Sequence, residues 1–102
     1  MAIQQTVVFT KAEGSFSDLA EMQTAILADL VDSTQKSALD TARSSEEFTV
    51  VSDFDPIAQQ MTLVRTWNED AFNAYKAAHP GTANSSSLES AGWDVTESIA
   101  TV

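Results

Sequence analysis

Residues Glu47 to Trp67, EFTVVSDFDPIAQQMTLVRTW, decide the fold. Within them, Glu47 to Phe54 (EFTVVSDF) and Ala58 to Trp67 (AQQMTLVRTW) alternate in character at a period of two, the period at which a strand sends successive side chains to opposite faces. Asp55-Pro56 lies between them, and an aspartate followed by a residue of fixed φ is turn chemistry, so the pair reads as an antiparallel hairpin. On its second strand Met61, Leu63, Arg65 and Trp67 share one face, and Thr62, Val64 and Thr66 share the other.

Toward the N-terminus, Ile3 to Thr10 (IQQTVVFT) is β-branched and aromatic and reads as a first strand, with Ile3, Val7 and Phe9 on one face and Thr6, Val8 and Thr10 on the other. Lys11 to Gly14 makes a turn. Ser15 or Ser17 is then expected to cap a helix whose first turn carries Asp18 and Glu21, the charge that a helix N-terminus favours. Leu19, Met22, Ile26, Leu30 and Ser33 recur at spacings of three and four, so they form one buried stripe. The helix is expected to reach about Arg43. It either runs unbroken or stops near Asp32-Ser33-Thr34, a tripeptide able to cap a second, shorter helix carrying Ala38, Leu39 and Ala42.

Beyond the hairpin, Asn68 caps a helix that opens on Glu69 and Asp70 and closes on Lys76 and His79, each sign complementing the macrodipole, before Pro80-Gly81 stops it. Phe72, Tyr75 and His79 fall on its buried stripe, beside Ala71, Ala74 and Ala78. Thr82 to Ser87 is a polar connector, and Gly92 to Val102 is either a final edge strand through Trp93, Val95 and Ile99 or a partly ordered tail. The order β-α-β-β-α-β predicts one α+β domain over residues 1–102, a ferredoxin-like sandwich with helices on one face of an antiparallel sheet. Its other face would carry Thr6, Val8 and Thr10, then Thr49, Val51 and Asp53, then Thr62, Val64 and Thr66. A central valine repeated on three strands predicts cover by a second copy, a homodimer through the open sheet face.

The 102 residues suit a single core, and 43% hydrophobic with 20% charged residues is a globular composition. A formal charge of −10, from 15 Asp and Glu against 5 Lys and Arg, argues against nucleic acid and anionic membrane surfaces as partners. With no cysteine, disulfides, thiol catalysis and Cys-ligated metals are excluded. One histidine cannot build a multi-His metal site within one chain, and Asp53-Phe54-Asp55 lacks the glycine and distal glutamate of a calcium loop. Gly14, Gly81 and Gly92 are too scattered to cradle phosphate, and Ser85-Ser86-Ser87 reads as a linker. Met1 to Thr10 has neither the basic nor the apolar region of a secretion signal, so the expected setting is cytoplasmic.

The stretch Asp53 to Pro80 resembles the dimeric α+β barrel superfamily, in particular its antibiotic-biosynthesis-monooxygenase-like group. In that group a strand ending in an aromatic residue precedes a polar-acidic cap and a Phe-x-x-Tyr or Phe-x-x-Trp helix that ends near a histidine. Trp67, Asn68-Glu69-Asp70, Phe72, Tyr75 and His79 stand in those places here. The match covers about a quarter of the chain, and the superfamily hosts oxygenase, haem-degrading, dehalogenation-type and isomerase chemistry, so the resemblance implies a fold more than an activity. Its haem-degrading branch would require an asparagine on the first strand. Gln4, Gln5, Thr6 and Thr10 stand there instead, and no cofactor is expected.

Arg65 is the most informative single residue, because its face of the strand also carries Met61, Leu63 and Trp67 and should meet the helices. It either anchors a carboxylate or enolate in a pocket walled by Trp67, Tyr75 and His79, or it reaches water or pairs with a helix acid such as Asp18 or Glu69. His79 offers a general base or an axial ligand, or else simply complements the dipole at a helix end. Trp67, Phe72 and Tyr75 can stack on a flat substrate, although aromatic residues at such spacings more often form core. Two functions follow. One is cofactor-independent oxidation or isomerisation of a small aromatic or carbonyl compound, with Arg65 and His79 catalytic. The other is a non-catalytic oligomerising or binding module, or a structural component of a larger assembly.

Overall fold

The computed structural model describes residues 2–11, 13–29, 40–78 and 86–102. Strand β1 (Ala2–Lys11) is followed by helix α1 (Leu19–Asp29), strands β2 (Phe48–Asp55) and β3 (Gln60–Asn68), helix α2 (Glu69–Ala78), the short helix α3 (Ser86–Ser90) and strand β4 (Trp93–Thr101). The four strands form one sheet in the order β2-β3-β1-β4, every pair antiparallel. This is the expected ferredoxin-like arrangement, with the C-terminal segment a full edge strand along β1.

Capping shows how local chemistry sets the helix ends. The Asp18 carboxylate accepts the Glu21 N–H at 2.8 Å, so Asp18 caps α1 in place of the expected Ser15 or Ser17. The two serines flank a residue whose backbone is already engaged elsewhere: the Phe16 N–H donates to Gln59 Oε1 at 2.7 Å, and Gln59 Nε2 donates back to the Phe16 carbonyl at 3.1 Å. A Cβ at Gly14 would crowd this clamp, sitting 3.0 Å from the Phe16 ring and 3.1 Å from both Gln59 Oε1 and the Lys11 carbonyl. Asn68 caps α2 as expected, its Oδ1 accepting from Asp70 N at 3.0 Å and Ala71 N at 3.2 Å.

Of the α1 stripe, Met22 and Ile26 are buried and Leu19 packs beside them; Leu30 and Ser33 lie outside the described residues, as do the suggested break and Ala38 and Leu39. Residues 40–44 are helical and close in a Schellman motif: Glu47 N–H donates to the Ala42 carbonyl at 2.9 Å and Glu46 N–H to that of Arg43 at 3.1 Å. Glu46 takes the left-handed conformation, φ 58°, that the motif requires. In the hairpin turn Asp55 Oδ1 accepts from Ile57 N at 2.9 Å and Ala58 N at 3.1 Å, which is the turn role read from Asp55-Pro56.

Helices cover one face of the sheet. Against it lie two apolar clusters: Val7, Phe9, Met22, Ile26, Met61, Leu88, Trp93 and Val95 in one, Ile3, Ala42, Phe48, Trp67, Phe72 and Tyr75 in the other. The sequence reading of Thr82 to Ser87 as a connector is corrected at Ser86 and Ser87, which open α3, and Leu88 beyond them had no assignment. A five-residue helix is too short to show periodicity, yet α3 drives one leucine fully into the core. On the opposite face none of the threonines and valines is buried, and Val51 is 70% exposed. The register sets Val51 beside Val64, and Val64 beside Thr6. Among the described residues, no helix is long and apolar enough to cross a membrane.

Candidate functional site

Between the two apolar clusters the helix-facing side of the sheet turns polar. Gln5 separates Ile3 from Val7 on β1, Arg65 separates Leu63 from Trp67 on β3, and Glu97 separates Val95 from Ile99 on β4. Strand register then brings the three together. Arg65 lies directly opposite Gln5, and Glu97 is opposite Val7, the next residue of β1 on that face.

Gln5 is fully buried, and its amide is the hub. Its Oε1 accepts from Trp67 Nε1 at 2.9 Å and from Arg65 Nη1 at 3.3 Å, while its Nε2 donates to Glu97 Oε2 at 2.5 Å. The other Glu97 oxygen, Oε1, accepts from Lys76 Nζ of α2 at 2.7 Å. The Glu97 side chain is only 6% exposed and that of Lys76 20%, so this ion pair is largely shielded from solvent screening.

Arg65 is the exception in this network. Its guanidinium carbon lies over the Phe48 ring, 5.6 Å from the centroid, and among the described residues its one hydrogen bond is the long contact to Gln5. Neither Asp18 nor Glu69 is its partner: Asp18 is spent on capping α1, and the register puts Gln5 opposite Arg65 instead. Burial lowers the pKa of Arg65, and the charge of Arg43 adds to the lowering, while Tyr75 and Glu97 oppose it. Since a guanidinium stays protonated in proteins, this records a cost of holding the charge there, not a titration.

The aromatic candidates do come together. Trp67, 1% exposed, stacks on Tyr75 at 5.1 Å and 29°, meets Phe72 edge-on at 5.6 Å and 68°, and packs against Phe48 at 4.5 Å. Phe72 and Tyr75 are buried with it, and the four rings make a core. Arg65 adjoins that core through Phe48 and Gln5. His79 lies outside the described residues. No group of three or more acidic or histidine side chains able to hold a metal occurs among the described residues.

With this geometry in view, the chain is similar to the solved structure of Rv0793 from Mycobacterium tuberculosis, at a TM-score of 0.54 and 7% identity, covering 100% of this chain and 95% of that one. The likeness is one of fold. It places the whole chain, β1 to β4, in one small α+β architecture. Protein SO0527 from Shewanella oneidensis aligns at a TM-score of 0.47 and 12% identity, over 97% of this chain and 90% of that one. No family model matches the sequence, and no curated protein matches it.

Sequence reasoning singled out Arg65 and Trp67 but passed over Gln5, Glu97 and Lys76. A signal was present, since Gln5, Arg65 and Glu97 each stand between two apolar residues on the same face of their strands. Lys76 had been assigned to the helix dipole alone, a role that leaves its second partner unseen.

Proposed function

We propose that the chain is a homodimer closed through the open face of its sheet, in which each subunit binds a small anionic carbonyl or aromatic compound at Arg65. The observation that carries this reading is a desolvated guanidinium with one long hydrogen bond and no carboxylate partner among the described residues. A planar cation with donors to spare beside apolar rings is suited to a carboxylate or enolate. Cofactor-independent oxidation by dioxygen, or isomerisation, is the chemistry we assign to such a ligand, with His79 as the residue that moves a proton.

Thermal-shift measurements over small organic acids and quinones test this directly, because a ligand that binds only the native state raises Tm. Arg65→Met should abolish the shift. Light scattering after size exclusion tests the dimer, and a monomer at micromolar concentration would remove it. The tight packing of Trp67 with Phe48, Phe72 and Tyr75 favours a second reading, a non-catalytic oligomerising or binding module. A dimer whose Tm no organic acid moves supports that one.

A further inference from the structure

A guanidinium with no carboxylate partner among the described residues needs explaining, because carboxylates outnumber cations 15 to 5 and Arg–carboxylate pairing is the strong default. The nearest acid in the network is Glu97, separated from Arg65 by the width of one amide: Arg65 reaches Gln5 Oε1, and Glu97 holds Gln5 Nε2. Both Glu97 oxygens are occupied, Oε1 by Lys76 and Oε2 by Gln5. Lys76 is itself held, its ammonium 6.0 Å from the centroid of the Phe72 ring on the same helix.

The amide of Gln5 has only one workable orientation. Its NH2 must face the carboxylate, so its oxygen must face the indole and guanidinium donors; flipping it would set donors against donors and oxygen against oxygen. We propose that Lys76 and Gln5 are positioning residues: together they hold Glu97 away from Arg65, and so keep the guanidinium open to an anionic ligand. The inference rests on Arg65 being the anion anchor, and it adds what prevents the protein's own carboxylate from filling that place.

The test uses the full-length protein and benzoate as the probe, titrated by calorimetry. Lys76→Met releases Glu97 Oε1, Arg65 turns onto it, and benzoate affinity falls by about tenfold or more. Glu97→Gln removes the competing charge, so affinity stays the same or rises. The double variant Lys76→Met/Glu97→Gln returns to within about threefold of the parent, because no carboxylate is left to quench Arg65. A double variant no better than Lys76→Met would overturn the proposal, as would an affinity unchanged in Lys76→Met.

A ligand-free readout separates this proposal from the reading beneath it. In nuclear magnetic resonance spectra the Arg65 guanidinium protons should exchange more slowly in Lys76→Met than in the parent, and Glu97→Gln should reverse the slowing. That pattern without benzoate binding to any form sustains the positioning role and sinks the anion anchor. Benzoate binding that Arg65→Met abolishes and Lys76→Met leaves intact does the opposite. Should Lys76→Met fail to fold, Lys76→Gln keeps a neutral donor on Glu97 and is expected to give a smaller loss, again reversed by Glu97→Gln.

Discussion

Trp67 and Trp93 both face the helices, both are buried, and both donate the indole N–H to a polar side chain, yet their surroundings differ. Trp93 donates to Asp29 Oδ2 at 2.8 Å, and Lys11 stands 3.7 Å from the same oxygen and 5.0 Å from the Trp93 ring centroid. The Lys11 and Asp29 side chains are 28% and 33% exposed, so water can replace any of these partners at small cost. Trp67 donates to Gln5, which is 0% exposed, and the charges beyond it have little access to water. The same indole therefore ends in a solvated ion pair at one end of the sheet and in a closed polar network at the other. A buried network is costly when one member is removed, and it can also hold one member in a state that solvent would not allow.

Substitutions can break or sharpen that contrast. The largest effect is expected from Trp67→Ala, which removes contacts with three rings and should cost about 4 kcal/mol in urea denaturation; Trp93→Ala should cost less, about 3 kcal/mol. Next, Gln5→Leu leaves the Trp67 indole and Glu97 each short of a buried partner and should cost roughly 2–3 kcal/mol, against less than about 1 kcal/mol for Asp29→Ala. Equal losses at the two ends would erase the distinction between closed and solvated networks.

Arg65→Met separates function from stability. Gln5 keeps Trp67 as donor and Glu97 as acceptor without Arg65, so stability should be unchanged or rise by up to about 1 kcal/mol while organic-acid binding disappears. A loss above about 2 kcal/mol would make Arg65 a structural group and end its candidacy as an anchor. Smallest of all is Glu46→Gly, away from both networks, which relieves the positive φ of the Schellman turn and should raise stability by about 1 kcal/mol or less.

Much of the fold was legible because its signals are short-range. The hairpin follows from alternation and Asp55-Pro56, α2 from Asn68 and the spacing of Phe72 and Tyr75, and the two faces of β1 from its alternation. The misses at Asp18 and Leu88 are also local, but each was decided by packing: the Gln59 clamp on Phe16 occupies the backbone beside the serines, and the core accepts a leucine from a helix too short to announce itself. Of the site, Arg65 stood out as a charge on an apolar strand face. Its partners did not, because hydrogen bonds spanning 60 and 92 residues leave no trace in local spacing.

By itself, then, the chain's order of residues determined which segments are strand or helix, which side chains share a face, and that Arg65 would be carried inward. Only the tertiary structure decided what Arg65 meets there. The reason is geometric: β1 lies between β3 and β4, so the register of both strand pairs on it sets Gln5 between a guanidinium and a carboxylate. Helix α2 then supplies the lysine that keeps those two charges apart.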